Sequence, residues 1–198
     1  MPAVAAGKFS GELLLGDSAQ QLDASIGIQG SSPLVILSSP EEHSSSYGIR
    51  GSYQPFRHFA LELGYQSYGK FSGGGNFPDL ILDADSINVG VKGILPLSRG
   101  YSLSAGLGLA HWDVDASSSS APSDYGVNND PNRMDDQGND PYYTLSANYQ
   151  INEKVVVGLN YSVVTMKWTL RNGISNNDTY VNFEHEIKNI ALSVGVRF

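Results

Sequence analysis

The chain has 198 residues, 40% of them hydrophobic, with no cysteine and a net charge of -8. The lack of cysteine excludes a disulfide framework, a zinc–thiolate site and a thiol nucleophile, and the acidic balance excludes nucleic acid, which needs a basic footprint. No apolar run approaches the roughly 20 residues of a membrane helix; the longest, Pro33 to Leu37, is far too short.

Met1 to Ala6 lacks the charged and apolar regions of a secretory signal, and its Ala-Val-Ala reads as a cleavage-site remnant. Alternation then begins. In Lys8 to Gly16, Phe9, Gly11, Leu13 and Leu15 share one face, and Ser10, Glu12 and Leu14 share the other, as in a strand. Asp17 to Ser46 is polar, with apolar patches at Ile26 to Ile28 and Leu34 to Leu37. It is expected either to extend the first hairpin or to add a strand pair. A second strand, Tyr47 to Tyr53, puts Tyr47, Ile49 and Tyr53 outward and Arg50 inward, and Gln54 to Arg57 reads as a short turn. The third strand, His58 to Tyr68, alternates Phe59, Leu61, Leu63 and Tyr65 with Ala60, Glu62, Gly64 and Gln66. Gly69 to Asp83 reads as a loop.

The fourth strand, Ala84 to Leu95, sends Ile87, Val89, Val91 and Leu95 outward and Lys92 inward. Pro96 to Gly100 is a short turn. The fifth strand, Tyr101 to Trp112, has Leu103, Ala105, Leu107 and Leu109 over Ser102, Ser104, Gly106 and Gly108. Asp113 to Pro141 reads as a long polar loop. The sixth strand is Tyr142 to Ile151, Asn152-Glu153 is a tight turn, and the seventh strand is Lys154 to Trp168. Thr169 to Asn182 is the last long loop. Lys188 to Phe198 closes the chain with Ile190, Leu192, Val194, Val196 and Phe198 on one face. Strands of about ten residues, with long and short connections alternating, predict an all-β fold. That fold is an eight-stranded antiparallel up-and-down transmembrane β-barrel with long extracellular loops and short periplasmic turns, spanning 1–198 as one domain. A soluble lipocalin-like binding barrel is the alternative in which the apolar face turns inward.

Tyr53-Gln54, then Phe59-Ala60-Leu61-Glu62-Leu63-Gly64-Tyr65, Gly90-Val91-Lys92-Gly93 before Pro96, Trp112 and Gly195-Val196-Arg197-Phe198 occur in an order and spacing that resemble the barrel domain of the outer membrane protein A family. The resemblance implies a bacterial outer-membrane location and a lumen closed by charge pairs, with Glu62 and Lys92 at one such pair. The family's second lumen pair and a further arginine fall here on Asn148, Gly158 and Gly106, so that half is missing. The peptidoglycan-binding domain often attached in the family is not expected here. The implied partners are outer-membrane lipids, lipopolysaccharide and, through the C-terminal strand, the barrel-assembly machinery.

By parity, Glu12, Arg50, Glu62, Lys92 and Arg197 face the lumen, where buried charges must be paired. They are expected to form a charge network that fills or gates a narrow barrel; a small-solute porin is the competing function. Outward Tyr47, Tyr53, Tyr65, Tyr101, Tyr143, Tyr149, Tyr161 and Phe198 are expected at the membrane interfaces, where aromatic girdles collect. The acidic run Asp130 to Asp140 carries hard oxygen ligands without the calcium-loop spacing. It reads as a solvated loop, with a metal-bridged contact to lipopolysaccharide phosphates as the alternative. His43-Ser44-Ser45 beside Glu41 and Glu42 has the His-x-Ser spacing of lipid A deacylases. It lies in a serine-rich stretch expected to be a loop, so no enzyme, metal or cofactor is expected.

Overall fold

The computed structural model describes residues 8–28, 32–75, 77, 80–118, 133–172 and 179–198. The first seven residues, and with them the cleavage-remnant reading, lie outside the described residues, as do Asp130 to Asn132 of the acidic run.

Nine strands account for most of the described chain: β1 (Lys8–Ile28), β2 (Val35–Ser38), β3 (Glu42–Phe56), β4 (Phe59–Ser72), β5 (Leu80–Pro96), β6 (Tyr101–Ser118), β7 (Arg133–Gln150), β8 (Val155–Asn172) and β9 (Thr179–Arg197). β1 pairs antiparallel with β3, each strand from β3 to β8 pairs antiparallel with the next, β9 pairs with β1, and the sheet closes into an eight-stranded barrel. β2 is a short addition: it pairs with β1 at Asp23 to Ile26, directly above the stretch that pairs with β3. The segment 17–46 therefore lengthens the first hairpin, and where a strand pair was the alternative it adds a single short strand.

Near the turn end, where Arg57-His58, Ser98–Gly100 and Ile151 to Lys154 connect the strands, the outer face is an exposed apolar belt. Leu13, Ile49, Leu63, Val89, Leu107, Leu145, Leu159 and Leu192 mark its circuit. Behind it the lumen is polar, with Ser52, Glu62, Lys92, Ser104, Ser146, Asn160 and Ser193 all buried. A face that would be unfavourable in water is the favourable one in hydrocarbon, and closure removes every strand edge from it.

The strands overshoot the belt, and the expected boundaries fall short for that reason. β1 runs to Ile28 rather than Gly16, β6 to Ser118 rather than Trp112, and β7 starts at Arg133 rather than Tyr142. At the turn end, Gln54 to Phe56 belong to β3, with a register shift between Tyr53 and Phe56, and Pro96 belongs to β5. Above the belt the polarity inverts. Leu22, Phe71, Leu82, Trp112, Val114, Met166 and Ile187 are buried inside, while Asp17, His43, Asp113, Lys167 and Glu184 face out. An apolar-out pattern ends where this inversion begins, and Asp- and Asn-rich strands such as 135–140 have the composition of loops.

The ladders also change above the belt. Pairing between β3 and β4 stops at Tyr47 and Ser67, and pairing between β7 and β8 stops at Tyr142 and Val164. The other ladders continue, β5–β6 to Leu80 and Ser118, β6–β7 to Ser117 and Arg133, β8–β9 to Asn172 and Thr179. The two breaks lie on opposite sides of the ring. The loop-end half is therefore a sandwich of two sheets: β4 to β7 on one side, and β8, β9, β1 and β2/β3 on the other. Its core is the apolar cluster, and aromatic contacts cross it, Trp112 to Trp168 at 6.0 Å and Phe71 to His185 at 5.6 Å. A sandwich in water has apolar inner faces and polar outer ones, which accounts for the inversion.

Trp112 lies flat against Gly138 of β7: a Cβ placed there would sit 2.3 Å from Cζ2 of the ring. The ring has nowhere to move, being buried and held through Nε1 to Asp140 Oδ2 at 2.7 Å. Gly138→Ala is expected to lower the stability of the refolded barrel by about 1–3 kcal/mol, the usual cost of overpacking. The urea midpoint of unfolding read by tryptophan fluorescence checks it, and an unchanged midpoint would show that the ring is not confined.

Candidate functional site

The lumen at belt height holds one connected polar cluster. β1, β3, β4 and β5 meet the lumen with Glu12, Arg50, Glu62 and Lys92, and register sets their heights. Glu12 is directly across from Arg50, and Ser52 directly across from Glu62. Lys92 Nζ donates to Glu62 Oε1 at 2.5 Å, and Arg50 Nη2 donates to Glu12 Oε2 at 2.5 Å. Arg50 Nε lies 3.3 Å from Glu62 Oε1, an ion-pair contact that links the two pairs. Two carboxylates thus meet two cations, and the cluster is formally neutral.

The remaining strands complete the cluster with neutral groups. Arg50 Nη2 also donates to Asn160 Oδ1 of β8 at 2.7 Å, Ser146 of β7 donates to the same oxygen at 2.8 Å, and Asn160 Nδ2 reaches Ser193 of β9 at 2.9 Å. Ser52 donates to Glu62 Oε1 at 3.3 Å. β6 supplies space instead of a side chain: a Cβ on Gly106 would lie 2.6 Å from Thr144 Oγ1 and 3.6 Å from Glu62 Oε2. The side chains of Glu62 and Lys92 are 3% and 7% exposed, so their charges are compensated by each other and by these neighbours rather than by water. Two small cavities of mixed lining, about 40 Å³ each, flank the cluster. The lower is lined by Glu12, Lys92, Ser104 and Arg197, the upper by Arg50, Glu62, Asn88 and Thr144. Each has room for roughly three waters, at the 10–15 Å³ that one occupies.

Arg197, which parity places with these four, makes its hydrogen bond elsewhere. It donates to Gln150 Oε1 at 3.0 Å near the turn end. It pairs with Ser10, two residues below the Glu12–Gly195 level. Asn160, Ser146, Ser193 and Ser52 are inward by the same parity that placed Arg50. Their signal in the sequence was alternation, but nothing in it told which polar residues share a level.

The aromatic residues form two tiers on the outer face. Phe9 and Tyr53, and Tyr101 and Tyr149, lie with ring centroids 4.7 Å apart towards the turn end, where Phe198 is also exposed. Tyr47, Tyr65, Tyr143 and Tyr161 lie at the upper rim, Tyr65 half-buried with its hydroxyl donating to Asp85 at 2.8 Å. Above that rim, His43 is in a strand and not in a loop. Its Nδ1 meets Asp17 Oδ2 at 2.6 Å and its Nε2 lies 3.9 Å from Glu41. Both nitrogens face carboxylates, and the hydrogen bond to Asp17 raises its pKa. In the acidic run, Asp140 turns inward to Trp112 and to the backbone of Lys167, a structural role.

Lys92→Ala would leave Glu62 buried beside Arg50 alone. The expected loss is about 3–5 kcal/mol, the cost of breaking a buried pair. A urea titration of the refolded barrel checks it, with an unchanged midpoint counting against the pairing.

A family model described as the OmpA-like transmembrane domain matches residues 27–198. No curated protein sequence matches. Among solved structures, the outer membrane protein OprG of Pseudomonas aeruginosa superposes with a TM-score of 0.60 at 12% identity, covering 95% of this chain and 96% of that one. The outer membrane protease OmpT of Escherichia coli superposes at 0.58 and 12%, covering 96% and 97%. Neisserial surface protein A does so at 0.52 and 11%, covering 93% and 97%. At such identities these structures speak for the fold alone. With the closed ring, the apolar belt and a family match over most of its length, the chain belongs to the OmpA-like transmembrane domain family.

Proposed function

We propose that this chain is a closed structural barrel of the bacterial outer membrane that carries its loop-end half above the lipid as an interaction platform. The observation that carries this reading is the cluster of Glu12, Arg50, Glu62 and Lys92, extended through Asn160 to Ser146 and Ser193. It ties side chains from seven of the eight wall strands across the lumen at belt height. An eight-stranded barrel is only wide enough for side chains to fill it, and here ion pairs fill it. The belt and its two aromatic tiers suit outer-membrane lipids, with the upper tier at the level of lipopolysaccharide headgroups. The terminal strand, with Val194 and Val196 facing out, is the surface we assign to the assembly machinery. We propose no catalytic role for His43, whose Nδ1 meets Asp17 and whose Nε2 lies 3.9 Å from Glu41.

A narrow channel is the second reading, favoured by the cavities on either side of the cluster. The full chain, refolded in detergent and shown to migrate faster unboiled than boiled, is placed in a planar bilayer. No discrete conductance is expected. Discrete steps would replace the closed reading with the channel reading.

A further inference from the structure

The two sheets of the loop-end sandwich are joined unequally at their two seams. At the β3–β4 seam side-chain bonds replace the ladder. Ser44 Oγ and Gln20 Nε2 donate to the Tyr68 carbonyl at 2.7 and 2.9 Å, and Ser72 N–H donates to Glu42 at 2.8 Å. At the β7–β8 seam, Pro141 stands at the fork and has no N–H to offer. Both strands run on past it, to Arg133 and Asn172, without pairing to each other among the described residues. Asp140 bridges the gap. Asp140 Oδ2 accepts from Trp112 Nε1 of one sheet at 2.7 Å and from the Lys167 backbone N–H of the other at 3.1 Å.

Between the sheets lies His185. It is fully buried, and neither ring nitrogen has a hydrogen-bond partner among the described residues. In register it meets Leu22 of β1 and Met166 of β8, and its ring faces Phe71 of β4 and Trp168. The titratable groups on the sandwich's inner face are Glu42 on β3, Tyr68 on β4 and Asp136, Asp140 and Tyr142 on β7, and none of them hydrogen-bonds the ring. An unpartnered imidazole in an apolar core opposes closure, because parting the sheets hydrates it.

We propose that the loop-end half of the barrel is an acid-opened clamp: the two sheets part along the β7–β8 seam, with Asp140 as the clasp and His185 as the buried group whose hydration and protonation favour the open form. Burial holds His185 down at about 4, against 6.5 for the free imidazole. The open form therefore binds more protons between those values. The closed form loses stability as pH falls through that window, and the loss levels off below about 4. Opening would expose the aromatic inner face while the ladders of the belt stay paired.

Both tryptophans of the chain, Trp112 and Trp168, lie in this clamp, so intrinsic fluorescence reads it directly. The full chain refolded in lipid vesicles is titrated from above pH 6.5 to about pH 4, with acrylamide quenching measured at each step. A second sample carries Asn139→Cys and Lys167→Cys, on exposed positions either side of the seam, joined by a short bis-maleimide. Quenching is expected to rise severalfold in the free chain. The rise should vanish in the cross-linked one, reappear when the same cysteines are capped singly, and flatten in His185→Phe. The unboiled gel mobility should persist throughout. Flat quenching in the free chain, a rise undiminished by the cross-link, or loss of mobility together with the rise would each overturn the clamp, the last by showing that the whole barrel unfolds.

Discussion

Backbone N–H and C=O groups have no water to turn to in hydrocarbon, so a sheet can cross a membrane only if every ladder closes. In this chain the constraint holds as far as the belt extends. Up to Tyr47, Ser67, Tyr142 and Val164 all eight ladders are paired, with one register shift between Tyr53 and Phe56 at the turn end. Just above that level, where water can satisfy exposed backbone groups, two of them come apart. Freed from closure, the strands adopt the arrangement that best buries their large side chains, which is two sheets face to face. The outer surface there can be charged because it meets water. The same strands are thus membrane wall below and sandwich above, and the change of partner solvent accounts for both the break in pairing and the reversal of polarity.

The lumen obeys a second constraint that follows from the first. Lipid on the outside and a narrow barrel on the inside leave any inward charge far from bulk water, so it must find its opposite nearby. Glu62 takes contacts from Lys92, Arg50 and Ser52 on one oxygen, and Arg50 divides its donors between Glu12 and Asn160. Removing β6 from this arrangement by placing Gly106 there is part of the solution, since a side chain would compete with Thr144 and Glu62 for the same space.

Much of this was legible in the alternation of residues, and the failures have physical causes. Parity put Glu12, Arg50, Glu62 and Lys92 inside, because a half-buried strand has no other way to arrange its two faces. Parity says nothing about height, however. Arg197 has the expected face but lies a step lower, beside Ser10 in the β1–β9 register, where it bounds the lower cavity with Glu12 and Lys92. The strand ends were missed because the apolar-out rule stops applying at the water surface. His43 and the stretch from Asp135 to Asp140 resemble loops in composition, but their neighbours in the sheet hold them extended. Trp112 reads in the sequence as the end of a strand; in the fold it is the centre of a core built from β4 to β9 and β1, contacts too distant in sequence for a local pattern to reveal.

Tyr142 marks the boundary between the two regimes. It is the last β7 residue paired to β8, it belongs to the apolar cluster, and it lines the upper polar cavity beside Arg50 and Glu62. Its ring fits because Gly90 and Gly108 leave a hollow opposite: Cβ atoms there would lie 2.5 Å from its hydroxyl oxygen and ring edge respectively. An amphipathic ring suits this place, apolar body towards the sandwich and hydroxyl towards the lumen. It separates two regions of opposite chemistry, ion pairs below and packed aromatics above, which in the proposed closed barrel act as two barriers in series. A solute matched to one barrier is mismatched to the other: an ion passing the charge cluster would meet a dry apolar core, and an apolar molecule in the sandwich would meet paired charges. In the closed barrel proposed above, closure would then not depend on either barrier alone, and a change that loosens the upper one would leave the lower one intact.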